Sequence, residues 1–235
     1  MARPDPVPLT PAVQDYLKAV WSAGEWSTAP VTTKMLAERL GVGPPTVSEM
    51  VRRLCDQGLL SHVRYGAVEL TPTGRAHAVA MVRRHRLIET FLVSELGYSW
   101  DEVHDEAEVL EHAVSDLLVD RIAARLGHPS RDPHGDPIPA PDGTVPQPAA
   151  RLLRDLPAGT WAVARISDAD PDLLRFFESV GVGLDVVVQV LGAAPHGGVA
   201  VSLGGHRLDL GAAAAAAVWL VAAGDGTPTH GVEQG

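Results

Sequence analysis

In the first third of the chain, apolar positions recur at helical spacing. Val13, Tyr16, Leu17 and Val20 repeat at three- and four-residue intervals, which aligns them on one stripe of a helix. Pro11 suits the first turn, where the amide it lacks would have no partner. A first helix is therefore expected over 11–22. A second is expected over 33–40 (TKMLAERL), closed by Gly41, and a third over 45–57 (PTVSEMVRRLCDQ), closed by Gly58, because glycine ends a helix in the left-handed region without steric cost. The short connection 41–44 makes this pair a helix-turn-helix. LLSHVRYGAVELT then alternates around Tyr65 and Gly66, as two short strands joined by a tight turn would. A helix-turn-helix followed by a hairpin is a winged helix.

The helical period returns over 73–96, with Ala76, Val79, Ala80, Leu87, Phe91 and Leu92 as its apolar positions, and one further helix is expected over 100–126. Residues 127–150, GHPSRDPHGDPIPAPDGTVPQPAA, are too rich in Pro, Gly and Asp for any regular element and are expected to form a linker. Beyond it, TWAVARI, LDVVVQVL, GVAVSL and AVWLVA have the character of short strands. LLRFFESV is an inserted helix, and the alanine run from Ala212 a small-residue helix or turn. Strands of this length suggest a small, partly open barrel. The expected fold is mainly α with small β elements, divided into a winged helix-turn-helix (1–75), a helical unit (76–128), a linker (129–152) and a barrel (153–235).

Composition narrows the chemistry. The 235 residues are 46% hydrophobic, enough to bury real cores in two or three compact units. No run of eighteen apolar residues occurs and the start MARPDPVPLTP lacks the order of a secretion signal, so a cytoplasmic protein without membrane partners is expected. Cys55 is the only cysteine, which excludes an internal disulfide and any multi-cysteine zinc cluster; ten histidines leave imidazole and carboxylate ligation open. A net charge of −10 looks unsuited to nucleic acid, but the local field decides phosphate attraction. Residues 1–75 carry 8 Lys and Arg against 7 Asp and Glu, residues 76–128 carry 5 against 10, and residues 129–235 carry 6 against 12. The winged helix is the part least hostile to DNA.

His104, Glu108, Glu111 and His112 have offsets 0, 4, 7 and 8, a stripe of roughly 100° on a helix. Val103, Ala107, Leu110, Val114 and Leu118 occupy the neighbouring stripe, so the polar one is surplus to packing. It is either a metal-binding face or a solvated one. On the preceding helix His85 and Glu89 form a second pair at i, i+4, a spacing that lets both reach one ion.

Together with the winged helix, these sets resemble the diphtheria toxin repressor family of iron- and manganese-dependent regulators. The resemblance runs through AERLGVGPPTVSEMVRRL, LTPTGRAHA, RRHRLIETFL, VHDEAEVLEHAVSD and SRDPHGDPIP and covers nearly the whole chain. It implies a non-enzymatic transcriptional repressor, a homodimer on a palindromic double-stranded operator, a helical dimerisation and metal-binding domain, and an SH3-like, FeoA-like third domain. It carries a primary metal site onto Asp15, Glu108, Glu111 and His112, and an ancillary site onto His85, Glu89 and His104, with His85 facing either site or both. Asp168 stands where relatives donate a further carboxylate; Asp170 and Asp172 are alternatives, and so is a plain acidic turn. Two metal sites per protomer follow. Iron-responsive relatives have Met and Cys where this chain has Asp15 and Glu108, so the harder donor set resembles the manganese-responsive branch, making Mn2+ the first expectation and Fe2+ the next, with no organic cofactor. That branch often carries another acid where this chain has Lys18, a departure that favours separated ions.

For DNA, Pro45 and Thr46 are expected to touch thymine methyls, Ser48 and Arg53 to bond phosphates, and Arg64 to reach the backbone or minor groove from the wing. Glu49 replaces a glutamine of the iron-responsive relatives and can accept from cytosine but cannot donate. Val47, Met50, Val51 and Leu54 are the core side of that helix, and Cys55 a small packed residue. Two other classes compete. A metallohydrolase would need an HExxH motif or an open coordination position, neither of which is visible; a winged-helix regulator answering an organic ligand or a protein partner would leave the acidic stripe solvated.

Overall fold

The computed structural model describes residues 9–62 and 66–224. The winged helix is built from α1 (Pro11–Glu25), α2 (Thr33–Leu40), α3 (Pro44–Asp56), β1 (Leu60–His62) and β2 (Val68–Leu70), with the two strands antiparallel. Thr32 caps α2 by accepting from the Met35 amide, and Gly41 ends it at φ +64, the left-handed stop its sequence calls for. Leu17, Leu36, Val47, Val51, Leu54, Leu60 and Val68 form the core of this head. Arg64 lies outside the described residues.

α4 (Pro72–Leu96) is the spine of the molecule. Its first turns, through Ala78, Val79 and Val82, complete the core of the head. Further along, Leu87 packs with Val119, Ile122 and Ile138, and Ile88 and Leu92 pack with Val103 and Ala107. Where α4 begins, a Cβ on Gly74 would sit 1.9 Å from the Leu59 carbonyl oxygen, so only glycine lets the helix cross the wing so closely.

The single helix expected over 100–126 is two: α5 (Val103–Leu110) and α6 (Asp116–Arg125). Ser115 caps α6 by accepting from the Leu118 amide, and Arg84 Nη1 donates to the carbonyls of Glu111 (3.2 Å) and Val114 (3.0 Å) that the break leaves open. The break also resets the apolar stripe. Val103 and Ala107 are buried as expected, but Leu118 is exposed and Val119, Ile122 and Ala123 turn inward instead.

Residues 127–150 hold no helix or strand, yet the segment is not a loose connection. Asp132, His134, Asp136 and Ile138 are buried. The chain is held here by Asp132 Oδ1, which accepts from the amides of His134 and Asp136 (both 2.9 Å), and by the Ile166 amide, which donates to the His134 carbonyl (2.9 Å). Gly135, at φ +93, makes that approach possible: a Cβ there would stand 2.1 Å from the Ala164 carbonyl oxygen.

The carboxy-terminal unit is an antiparallel six-stranded sheet in the order β3 (Arg151–Leu152), β8 (Val218–Ala222), β4 (Gly159–Ile166), β5 (Val187–Ala193), β6 (Val199–Leu203), β7 (His206–Leu210). α7 (Pro171–Ser179) follows β4 and α8 (Ala212–Ala215) precedes β8. The sheet curls around Phe177, Ile166, Leu174 and Leu220 and keeps two edges, as a partly open barrel does. β3 and β7 had no counterpart among the strands expected from sequence. A register shift in β4 between Val163 and Arg165 turns Arg165 inward, where its Nε donates to Asp136 Oδ1 (2.7 Å) and its guanidinium lies over the neighbouring rings of Trp26 (4.9 Å) and Trp219 (4.4 Å). No described helix is long and apolar enough to cross a membrane.

Candidate metal centre

α1, α4, α5, the segment 131–139 and the end of β4 converge on one polar region. Three groups of His, Asp and Glu there each offer ligand atoms within 4.8 Å of one another: Asp15, Glu111 and His112; His85, His104 and Glu108; Glu89, His134 and Asp168. All eight metal-ligand residues expected from sequence fall in these groups, and His134 adds a ninth.

On the side of α1, His112 Nε2 lies 2.8 Å from Asp15 Oδ1 and 3.5 Å from Glu111 Oε1. The acceptor Gln14 Oε1 sits 2.8 Å from His112 Nδ1, so Nδ1 carries the proton and Nε2 is turned toward the carboxylates. An imidazole bound through one nitrogen to a fixed acceptor, with the other presented to an ion, is the usual way a protein orients a histidine ligand. Asp15 Oδ1 is buried against that imidazole. Burial raises the pKa of this carboxyl above its ordinary value, against the opposing charges of His112 and Lys18. Glu111 is fully buried; burial works to raise its pKa, but the hydrogen bond and charge of His85, with Lys18, hold it low.

His85 joins the two halves. Its Nδ1 stands 2.5 Å from Glu111 Oε2 and its Nε2 2.9 Å from Glu89 Oε1. Burial disfavours the charged ring, yet the Glu89 charge and the hydrogen bonds to Glu111 and Glu89 push its pKa up to about 10. Glu89, also buried, is held well below the usual carboxylate range: burial opposes its ionisation, and the His85 charge with hydrogen bonds from His104 and His85 overcome it. His104 Nδ1 is 3.2 Å from Glu89 Oε1 and 3.5 Å from Asp168 Oδ2, and its Nε2 is 3.6 Å from Glu108 Oε1. Asp168, not Asp170, joins the group; Asp170 caps α7 by accepting from the amides of Asp172 and Leu173, and Asp172 pairs with Arg175.

His134 belongs to no helical or strand pattern in the sequence. Its Nε2 faces the Trp100 carbonyl oxygen (2.7 Å), so Nε2 donates, and Nδ1 is left buried without a hydrogen-bond partner among the described residues. Its position follows from Asp132, Gly135 and the Ile166 amide, and no periodicity in sequence signals it; the one hint is a histidine between Pro133 and Gly135 in an acid-rich loop. Asp132 carries a carboxyl raised well above its ordinary pKa by burial and by the charges of Asp136, Glu89 and Asp168, against Arg86. The unpartnered buried Nδ1 of His134 and the carboxylates gathered around each histidine fit a divalent cation in both halves. Within the α5 stripe Glu111 is buried, whereas the side chains of His104 and Glu108 are 41% and 38% exposed.

In the head, α3 exposes Pro45, Thr46, Ser48, Glu49 and Arg53 while burying Val47, Val51 and Leu54. Met50 and Cys55 are partly buried. Ser48 Oγ donates to the Pro44 carbonyl (2.9 Å), so a phosphate contact would require that hydroxyl to turn.

Comparison with known proteins agrees with this layout. Residues 8–68 match the family model described as iron dependent repressor, N-terminal DNA binding domain; residues 71–140 match the iron dependent repressor metal binding and dimerisation domain; residues 151–222 match the FeoA domain. The iron-dependent repressor IdeR of Mycobacterium tuberculosis is 36% identical over 212 residues, covering 85% of this chain and 91% of that protein. A solved structure described as a manganese-dependent transcriptional repressor in complex with manganese is 58% identical, with a TM-score of 0.86 over 90% of this chain and 100% of that one. ScaR with bound Zn2+ is 33% identical, with a TM-score of 0.78 over 90% and 99%.

Proposed function

This chain belongs to the diphtheria toxin repressor family and is a metal-sensing DNA-binding repressor, and we propose that it answers Mn2+ ahead of Fe2+, holds two ions per protomer and acts as a homodimer on a palindromic operator. One site is assigned to Asp15, Glu108, Glu111 and His112. The other is assigned to His85, Glu89, His104 and Asp168, with His134 as a further ligand and His85 lying between the two. What carries this reading is the convergence of nine His, Asp and Glu side chains in three groups whose ligand atoms lie within 4.8 Å of one another, with His134 Nδ1 buried and without a hydrogen-bond partner among the described residues. Oxygen and imidazole donors without a thiolate suit manganese, and the 58% identity to a manganese-dependent repressor supports the same preference.

A bound divalent cation supplies positive charge to carboxylates that otherwise repel one another. The protein's own residues turn that into regulation. Asp15 sits on α1, which is packed into the core of the head, whereas Glu108, Glu111 and His112 sit on and just beyond α5. Drawing these groups together fixes the head against α4 and α5. In a two-fold dimer this orientation sets the spacing of the two α3 helices, which must lie about 34 Å apart to enter successive major grooves. Pro45, Thr46, Ser48, Glu49, Arg53 and Arg64 are the proposed DNA contacts. Exposed Val109, Leu117 and Leu118 offer an apolar surface to the second protomer.

The test is binding of the full chain to the DNA upstream of its own gene in chelator, then in Mn2+, Fe2+, Co2+ or Zn2+. Metal-dependent binding lost in both Glu108→Ala and His112→Ala, with the dimer intact, is the expected result. Binding of equal strength in chelator overturns the reading.

A further inference from the structure

Lys18 lies on α1 one turn beyond Asp15, its side chain only 13% exposed. Its ammonium donates to Glu108 Oε1 (2.6 Å) and to both oxygens of Glu111 (2.7 Å each), and stands 3.4 Å from His85 Nδ1. No described residue outside this cluster approaches it within bonding distance. A flexible four-carbon stem ordinarily carries its charge to water; here it carries the charge inward, onto the two carboxylates that the proposed function assigns to a divalent ion.

We propose that Lys18 is a tethered competitor of that ion, a built-in monovalent cation that sets the metal concentration at which the protein responds. The proposal rests on the metal reading above. Glu111 presents both oxygens to the ammonium, and Glu108 gives it its nearer one, so an ion drawing on these carboxylates must first displace the amine or share them with it. Two consequences follow. Metal affinity at the Asp15 site is lower than the bare donor set would give, because each coordinating contact to Glu108 or Glu111 is offset by a lost or weakened ammonium contact. In the metal-free protein, moreover, α1 is already held to the end of α5 by Lys18, so the ion completes an arrangement whose parts are near their places.

The experiment compares wild-type protein, Lys18→Met and Lys18→Gln, full length and stripped with chelator. Methionine keeps the length of the stem and removes the charge; glutamine tests whether a neutral polar group behaves likewise. Mn2+ is titrated by calorimetry, and amide hydrogen exchange of α1 is followed without metal. The expected result is Mn2+ bound at least about tenfold more tightly by both variants, which corresponds to ~1.4 kcal/mol, together with faster exchange along α1 in the metal-free state that returns to wild-type protection once Mn2+ is bound. Variants that bind Mn2+ no more tightly than wild type, or whose metal-free α1 exchanges at the wild-type rate, overturn the proposal. Wild-type protein that takes up no Mn2+ overturns the metal reading itself and this proposal with it, whereas uptake by wild type without tightening in the variants overturns the competitor role alone.

Discussion

Replacing Arg86 by methionine should unlock the junction of the three units. Arg86 rises from the middle of α4, and its guanidinium donates to Glu25 Oε1 (2.9 Å) and Oε2 (2.5 Å) at the end of α1 and to the Pro137 carbonyl (2.6 Å). Asp136 and Asp132 stand 3.4 and 3.5 Å away. The side chains of Arg86, Glu25, Asp132 and Asp136 are 8%, 4%, 3% and 6% exposed. Removing one partner of a buried pair strands the other charge and costs roughly 3–5 kcal/mol, against about 0–1 kcal/mol for a solvated pair. At this chain length that is a fall in Tm of roughly 6–20 °C. Thermal unfolding of the chelated protein, followed by circular dichroism, measures it. Because most of the cost is a stranded carboxylate, Arg86→Met combined with Glu25→Leu should be less damaged than the two single variants predict by addition. A single variant within about 1 kcal/mol of wild type, or strict additivity in the pair, refutes the reasoning.

Three further expectations follow from particular contacts. His134→Ala should bind one Mn2+ fewer per protomer in equilibrium dialysis while keeping its helical content; unchanged stoichiometry removes His134 from the ligands. Gly135→Ala combines a left-handed φ with a carbonyl oxygen 2.1 Å from the new Cβ and should lower stability in urea by ~2–5 kcal/mol, a loss that a wild-type midpoint would contradict. Leu118→Glu, on an exposed position of α6, should yield a folded monomer in sedimentation velocity; a dimer at low micromolar protein would place the interface elsewhere.

Much of the architecture was readable because periodicity and stop signals agree. Val47, Val51 and Leu54 mark the buried side of α3, and Gly41 and Gly58 follow their helices at positive φ. What escaped notice depends on contacts distant in sequence. The break after Leu110 is stabilised by Arg84 from α4, and nothing local in EHAVSD forbids a continuous helix. His134 owes its place to a carboxylate two residues earlier, a glycine needed by β4 and an amide of β4, none of which leaves a repeating pattern. The segment 127–150 is irregular, as its composition implies, and the burial of Asp132, His134, Asp136 and Ile138 within it is not legible there, since Pro- and Gly-rich composition reports the absence of regular hydrogen bonding and says nothing of burial. In the sequence Lys18 is only a departure from the manganese-responsive pattern; its inward turn depends on the contact of its ammonium with Glu108 and Glu111, ninety or more residues away.

The claim on which all of this depends is that metal binding and operator binding favour one arrangement of the head, and thermodynamic linkage makes that measurable in a single quantity. Each partner must strengthen the other by the same factor. The most direct test is the Kd of Mn2+ for the full-length dimer, measured by calorimetry alone and then with saturating operator DNA. The account predicts tighter Mn2+ binding on the operator, by the factor with which Mn2+ tightens DNA binding. Equal Mn2+ affinity in the two titrations would contradict it.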